Sequence, residues 1–163
     1  MHAIITGSTG QLGRALQLHL EIIGSGIWAP TRWLFPLENG DLSKVPQADV
    51  AFLCAGTRFF QACEGSVSVF RADVDGNIRL ARHLLKQGTF VVFVSSDAVE
   101  NMAHTAYGRN RLLVELALVM QPNVGIFRPS KFTPETVGDC ARALAEVGLK
   151  RIEGLTRWSA GRA

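Results

Sequence analysis

Apolar residues come along this chain in short continuous bursts, separated by longer stretches in which they recur at helical spacing. The first burst, Ala3-Ile4-Ile5, meets Thr6-Gly7 and gives way to Leu12, Ala15, Leu16, His19, Leu20 and Ile23, which share one face of a 3.6-residue period. Gly24 and Gly26 then act as stop signals for that helix. Val50-Ala51-Phe52-Leu53-Cys54, Phe90-Val91-Val92-Phe93-Val94 and Val124-Gly125-Ile126-Phe127 are unbroken apolar runs of strand length. Such runs are expected where a parallel sheet is covered on both faces. Residues 27–32 read as a further strand, weakened by Pro30, which cannot donate to a sheet ladder. Helical patterns occupy 75–86, 107–121 and 139–147, and 152–158 reads as a short last strand or a segment lying across the domain. This alternation predicts an α/β chain with a doubly wound parallel sheet.

Length and composition bound the picture. With 163 residues, 47% of them hydrophobic, residues 1–163 are expected to form one domain with no linker or repeat. The 17 Lys and Arg against 14 Asp and Glu leave a net charge of +3 without a basic run, which argues against nucleic acid as a partner. Cys54, Cys63 and Cys140 and the four histidines are dispersed without metal-ligand spacing, so a reduced, cytoplasmic protein without a structural metal is expected. No apolar stretch has the length of a membrane span, and the first is broken too early for a signal peptide.

The candidate chemistry begins where the first strand ends. Gly7-Ser8-Thr9-Gly10-Gln11-Leu12-Gly13 places three glycines between a strand and a helix. In a dinucleotide site of the Rossmann type, the first glycine allows the tight turn, the second admits the pyrophosphate and the third allows close helix packing. The N–H groups of the first helical turn then face the phosphates. Glycines also occupy turns for structural reasons, so the later strand ends matter. Asp41-Leu42 precedes one strand, which ends in the small residues Cys54-Ala55-Gly56. The next ends in Ser95-Ser96-Asp97, and Tyr107 and Arg111 stand one helical turn apart. A hydroxyl, a phenol and a cation at the carboxyl edge of such a sheet can orient a carbonyl and pass it a proton.

With these segments in place, the chain resembles the short-chain dehydrogenase/reductase superfamily in its extended, sugar-nucleotide-modifying branch, and within it the dTDP-4-dehydrorhamnose reductase family. The similarity runs through Thr6 to Leu16, Asp41-Leu42, Cys54-Ala55-Gly56, Val94-Ser95-Ser96-Asp97-Ala98-Val99, Tyr107-Gly108-Arg109-Asn110-Arg111 and Phe127-Arg128-Pro129. The resemblance implies an NAD(P) cofactor held by Gly7, Ser8, Thr9, Gly10, Gln11, Leu12, Gly13, Asp41, Leu42, Cys54, Ala55, Gly56 and Asp73. It implies catalysis by Ser96 and Tyr107, with Arg111 in place of the lysine that holds the nicotinamide ribose. It also implies a homodimer joined through the helices at 75–86 and 107–121, the second of which is apolar around most of its circumference. Arg32, expected at the end of the second strand, favours NADP over NAD, since an arginine there can accommodate a 2′-phosphate.

The departures from the family matter as much. Arginine for lysine is not a conservative exchange at a site built for one ammonium. Asp73 stands where the family has asparagine. The connection from Asp97 to Tyr107 is short, and Arg128-Pro129-Ser130-Lys131-Phe132 runs almost directly into Thr133 to Asp139, where relatives carry a substrate-binding region. Plainer readings stand beside each assignment. Tyr107 and Arg111 could form a surface pair, Ser95 and Ser96 could satisfy backbone groups, Asp41 could be a cap or loop residue, Asp73 could cap the following helix, and Arg109 could belong to a solvated face. Two functions follow. One is a dinucleotide-binding or regulatory protein with impaired catalysis. The other is an active NADPH-dependent reductase of a carbonyl or 4-keto sugar nucleotide, with epimerase or dehydratase chemistry a weaker third.

Overall fold

The apolar bursts become strands that all run the same way. The computed structural model describes residues 1–57 and 60–160. Its strands are β1 (His2–Thr6), β2 (Gly26–Trp28), β3 (Val50–Leu53), β4 (Phe90–Val94), β5 (Val124–Pro129) and β6 (Gly154–Trp158), in the order β2-β1-β3-β4-β5-β6. Every neighbouring pair is parallel, with registers such as Ile4 to Ala51, Ala51 to Val91 and Phe93 to Ile126. The helices are α1 (Gln11–Ile22), α2 (Phe60–Cys63), α3 (Val67–Phe70), α4 (Asn77–Lys86), α5 (Ala98–Asn101), α6 (Ala106–Leu118) and α7 (Val137–Leu149). None of them is long and apolar enough to cross a membrane.

Strand alternation explains why the bursts are continuous. Ala3, Ile5, Val50, Phe52, Val92, Val94 and Phe127 face α1 and α7, where Leu16, Leu20 and Leu144 meet them. Ile4, Ala51, Leu53, Val91, Phe93 and Ile126 face α4 and α6, against Leu80, Leu84, Val114 and Leu118. Successive side chains therefore enter two separate cores, and β3 and β4 carry no polar residue. Each fully buried Phe or Leu, such as Phe52, Phe93 or Leu80, contributes about 1.5–3 kcal/mol.

Several boundaries differ from the expectations. β2 stops at Trp28, two residues before Pro30, because proline has no N–H for the ladder. Residues 29–49 instead cross back to β3 with one 3₁₀ turn, Leu42–Lys44, and are held down by buried Phe35 and Val45. The ring of Phe35 meets that of Trp28 edge-on at 5.7 Å. The last segment is a strand, β6, parallel to β5. On α6, Val114 and Leu118 enter the core, while Leu113 and Leu116, and Val119 and Met120 just beyond its end, are exposed. The exposed residues of α4, by contrast, are Arg82 and Lys86.

The reversal of strand order falls between β1 and β3. In open α/β sheets a ligand crevice forms at this point, outside the carboxyl ends of the strands.

Candidate functional site

The crevice begins at Gly7. Its φ of +70° belongs to the left-handed region, and a Cβ there would lie 2.7 Å from both Cα and N of Ala55. The ends of β1 and β3 can therefore meet only through a glycine. Thr6 Oγ1 reinforces the junction by accepting from Ala55 N at 3.3 Å. Gly10 precedes α1 with extended backbone angles, and its N–H donates to Gly7 O at 2.9 Å. No side chain caps α1 and its first turn carries no acid, so its N-terminal N–H groups and positive dipole end are free of an internal anion. Thr9 and Gln11 are exposed beside it. A Cβ on Gly13 would lie 2.3 Å from Gly7 O and 2.9 Å from Ser8 Cα. Gly13 thus serves close approach of α1 to the turn itself, where the sequence suggested packing against the sheet. Leu12 is buried in the α1 and α7 core, and the Ser8 hydroxyl donates to Ala29 O at 3.3 Å, tying the turn to the chain beyond β2.

On the other wall, residues 54–57 are fixed by several elements. Asp73 is buried, and its two carboxylate oxygens accept from Thr57 N at 3.1 and 3.0 Å, with the Thr57 hydroxyl at 3.3 Å. The reading of Asp73 as a helix cap is therefore wrong. The chain is already helical from Val67, and Asp73 sits inside a π-helical stretch, Arg71–Gly76, that runs on into α4. Asn77, fully buried, donates to Asp73 O at 2.9 Å and Ala55 O at 3.5 Å. Sequence reasoning missed both Thr57 and Asn77; only their nearness to the matched segments marked them. Burial, then Cys140, pushes the Cys54 thiol up to about 12, so it stays protonated and inert beside the crevice.

Arg111 enters from α6. It is only 7% exposed, with a guanidinium NH2 1.9 Å from where a Gly56 Cβ would stand and an NH1 donating to Val94 O at 3.3 Å. Its Cζ lies 5.5 Å from the Tyr107 ring centre and 5.8 Å from that of Phe93. Tyr107 is half-buried on the first turn of α6, whose start Thr105 caps by accepting from Gly108 N. The reading of Tyr107 and Arg111 as a surface pair fails, since Arg111 is buried and packs against the end of β4. Ser96, two residues beyond Val94, accepts from Ala98 N at 3.2 Å and donates to Asp97 Oδ1 at 3.2 Å. Its hydroxyl thus satisfies the start of α5.

Arg32 and Asp41 lie further out. Arg32 is exposed, four residues past the end of β2, with its Cζ 5.5 Å from the Trp33 ring centre. Asp41 accepts from Ser43 N and Ser43 Oγ, at 3.0 and 2.7 Å, and these bonds hold its carboxyl below the usual range. It caps the 3₁₀ turn that contains Leu42. Arg109 is a surface residue bonded to His104 O, as the plainer reading has it.

A second cluster lies at β5 and β6; of its members only Arg128 falls in a segment that the sequence singles out. Arg128 on β5 donates from Nε to Glu115 Oε1 at 2.8 Å, pairs through NH2 with Glu115 Oε2, and donates to Glu100 Oε1 at 2.6 Å. Arg157 on β6 donates to the same Glu100 oxygen at 2.6 and 3.1 Å. The Arg128 and Glu115 side chains are 12% and 6% exposed, so this pair clamps α6 to β5 in a largely dry setting.

At the sequence level, no family model and no curated protein matches the chain. Solved structures match at the level of fold. A dTDP-4-dehydrorhamnose reductase from Clostridium acetobutylicum superposes with a TM-score of 0.85 at 19% identity, over 97% of this chain and 74% of that one. The Bacillus anthracis dTDP-4-dehydrorhamnose reductase in complex with NADP gives 0.83 at 19% identity, with the same coverage of 97% and 74%. The 3-alpha-hydroxysteroid dehydrogenase of Pseudomonas sp. B-0831, complexed with NADH, gives 0.79 at 17% identity, over 99% of this chain and 96% of that one. The strand order, the glycine turn and these superpositions make the chain an α/β protein with the Rossmann-like fold of dTDP-4-dehydrorhamnose reductases and other short-chain dehydrogenases/reductases.

Proposed function

We propose that this protein binds a nicotinamide dinucleotide in the crevice between β1 and β3, and that its reductase chemistry is impaired by the exchange at Arg111. The observation that carries the reading is the uncapped, acid-free start of α1 behind Gly10, which follows a glycine turn held against Ala55. An anionic pyrophosphate suits that combination of free N–H groups and helix dipole. Ala55 and Gly56 leave room beside it, and Arg32 is available to a 2′-phosphate, which makes NADP the preferred form. When bound, the dinucleotide would supply hydride. The protein's own part would be to orient a carbonyl from Ser96 and give its oxygen a proton from Tyr107. Two features weaken that part: the Ser96 hydroxyl is engaged at the start of α5, and a planar guanidinium stands where the family places an ammonium.

A regulatory or partner role in sugar-nucleotide metabolism, as a homodimer in the cytoplasm, accords with this reading. The exposed apolar residues of α6 supply the self-association surface. An active reductase is the second reading. It gains support from the Pseudomonas hydroxysteroid dehydrogenase, solved with NADH, 96% of whose chain is covered by the superposition.

Nicotinamide fluorescence during titration with NADPH and NADH tests the binding. Saturable binding is expected, with Arg32→Ala weakening NADPH more than NADH. Absence of binding by either nucleotide refutes the proposal. NADPH oxidation with a panel of carbonyls and 4-keto sugar nucleotides separates the two readings. Turnover in the wild type that Tyr107→Phe lowers by about a hundredfold to ten-thousandfold establishes the active one.

A further inference from the structure

Among the described residues Arg111 has no ion pair. It is 7% exposed, yet among the described residues no carboxylate lies within ion-pairing distance of it, and of its five donors only NH1 makes a hydrogen bond, to Val94 O. Buried cations are otherwise paired, because removal from water is costly. This chain shows the usual arrangement a turn further along the same helix, where Glu115 pairs with Arg128. Asp73, which shares the neighbour Cys63 with Arg111, is committed to Thr57. The Tyr107 and Phe93 rings soften the loss of water around the guanidinium but carry no charge. A second polar group at the same strand end is also unsatisfied. Ser95 Oγ, next to Val94, is buried with no hydrogen-bond partner among the described residues.

We infer that Arg111 is an oxyanion clamp, whose missing partner is a phosphate or carboxylate group brought by a ligand into the crevice beside Gly56. An ammonium at this position could serve a neutral ribose diol. A guanidinium presents parallel N–H groups matched to two oxygens of one anion, so the arginine changes what the site selects. The inference depends on the proposed dinucleotide reading only for the placing of the crevice. The anion has two sources, a phosphate of the dinucleotide itself or a separate carboxylate-bearing ligand.

Thermal unfolding with inorganic phosphate or oxalate, against sodium chloride of equal ionic strength, tests the clamp in the wild type and in Arg111→Met and Arg111→Lys. The wild type is expected to gain stability from phosphate or oxalate beyond the chloride control. Arg111→Met should weaken anion affinity by about thirtyfold or more, as when one member of a buried charge pair is removed. Arg111→Lys should keep part of the response. Without added anion, Arg111→Met should melt no lower than the wild type, because it removes an uncompensated charge. A purely structural arginine would do the reverse. An oxalate response that ADP-ribose competes away assigns the clamp to the cofactor's phosphates, and one that persists beside ADP-ribose assigns it to a second ligand. No anion-specific response in the wild type, or an equal response in Arg111→Met, overturns the clamp. Failure of ADP-ribose to bind would count against the dinucleotide reading while leaving the oxalate measurement intact.

Discussion

Glu115→Ala should reveal how far α6, and the site it carries, depends on one ion pair. The substitution leaves Arg128, whose side chain is 12% exposed, without its bidentate partner. Removing one member of a buried pair costs about 3–5 kcal/mol, because the remaining charge stays desolvated. Arg128 keeps its bond to the exposed Glu100, so the low end applies, about 3 kcal/mol. With a urea m-value of about 2 kcal/mol/M, the midpoint should fall by about 1.5 M. Glu100→Ala should shift it much less, since that acid is 45% exposed and exposed pairs contribute little. Arg128→Met combined with Glu115→Leu should recover most of the loss, because apolar residues of similar size can replace a buried pair at little cost. Dinucleotide affinity should follow, since Tyr107 and Arg111 ride on the same helix. A Glu115→Ala midpoint within about 0.5 M of the wild type, or no lower than that of Glu100→Ala, would refute the reasoning.

Gly13→Ala should cost about 1–3 kcal/mol and weaken nucleotide binding, because its Cβ would meet the Gly7 carbonyl at 2.3 Å; an unchanged urea midpoint with unchanged titration would count against it. Burial raises the Cys140 thiol from 9.0 to about 12, so the folded chain keeps a proton that the unfolded chain releases. That contribution is complete below pH 9 and is lost as the pH rises toward 12, by at most about 1.4 kcal/mol per pH unit. Stability measured across this window should fall less steeply in Cys140→Ala, and parallel slopes would contradict the assignment. Leu116→Glu places a charge at the middle of the exposed α6 stripe, where Leu116 is 64% exposed. Sedimentation should show a homodimer in the wild type at tens of micromolar and a monomer in the variant, with nucleotide binding retained; a monomeric wild type removes the dimer.

The strands and the glycine turn were legible because their signals are local. A strand buried on both faces must be apolar throughout, and β4 follows its run, Phe90–Val94, residue for residue. β2 is shorter than the expected 27–32 because Pro30 cannot donate to the ladder, and the chain beyond it leaves the sheet and returns Phe35 edge-on to Trp28. The cap alternative for Asp73 fails: an aspartate before a periodic segment has the signature of a cap, while nothing local announces that the helix has already begun at Val67. The Glu115 and Arg128 clamp joins a helix to a strand through residues with no motif in common, so only the tertiary structure pairs them.

The segment 54–57 shows most clearly why the site exceeds its motifs. Cys54-Ala55-Gly56 is recognisable by its small side chains, but what fixes the segment comes from four places in the chain. Thr6 at the end of β1 and the adjoining Gly7 hold Ala55, Asn77 takes the Ala55 carbonyl from α4, Asp73 holds Thr57 from the π-helical stretch that leads into α4, and Arg111 packs under Gly56 from α6. A connecting loop is ordinarily the mobile part of such a sheet. Here each residue from Ala55 to Thr57 has an anchor on a different element, so the crevice wall is formed before any ligand arrives and binding need not order it. Arg111 brings its cation into this arrangement with no ion pair among the described residues. The wall is therefore complete in shape and incomplete in charge, which is the condition expected of a site that waits for an anion.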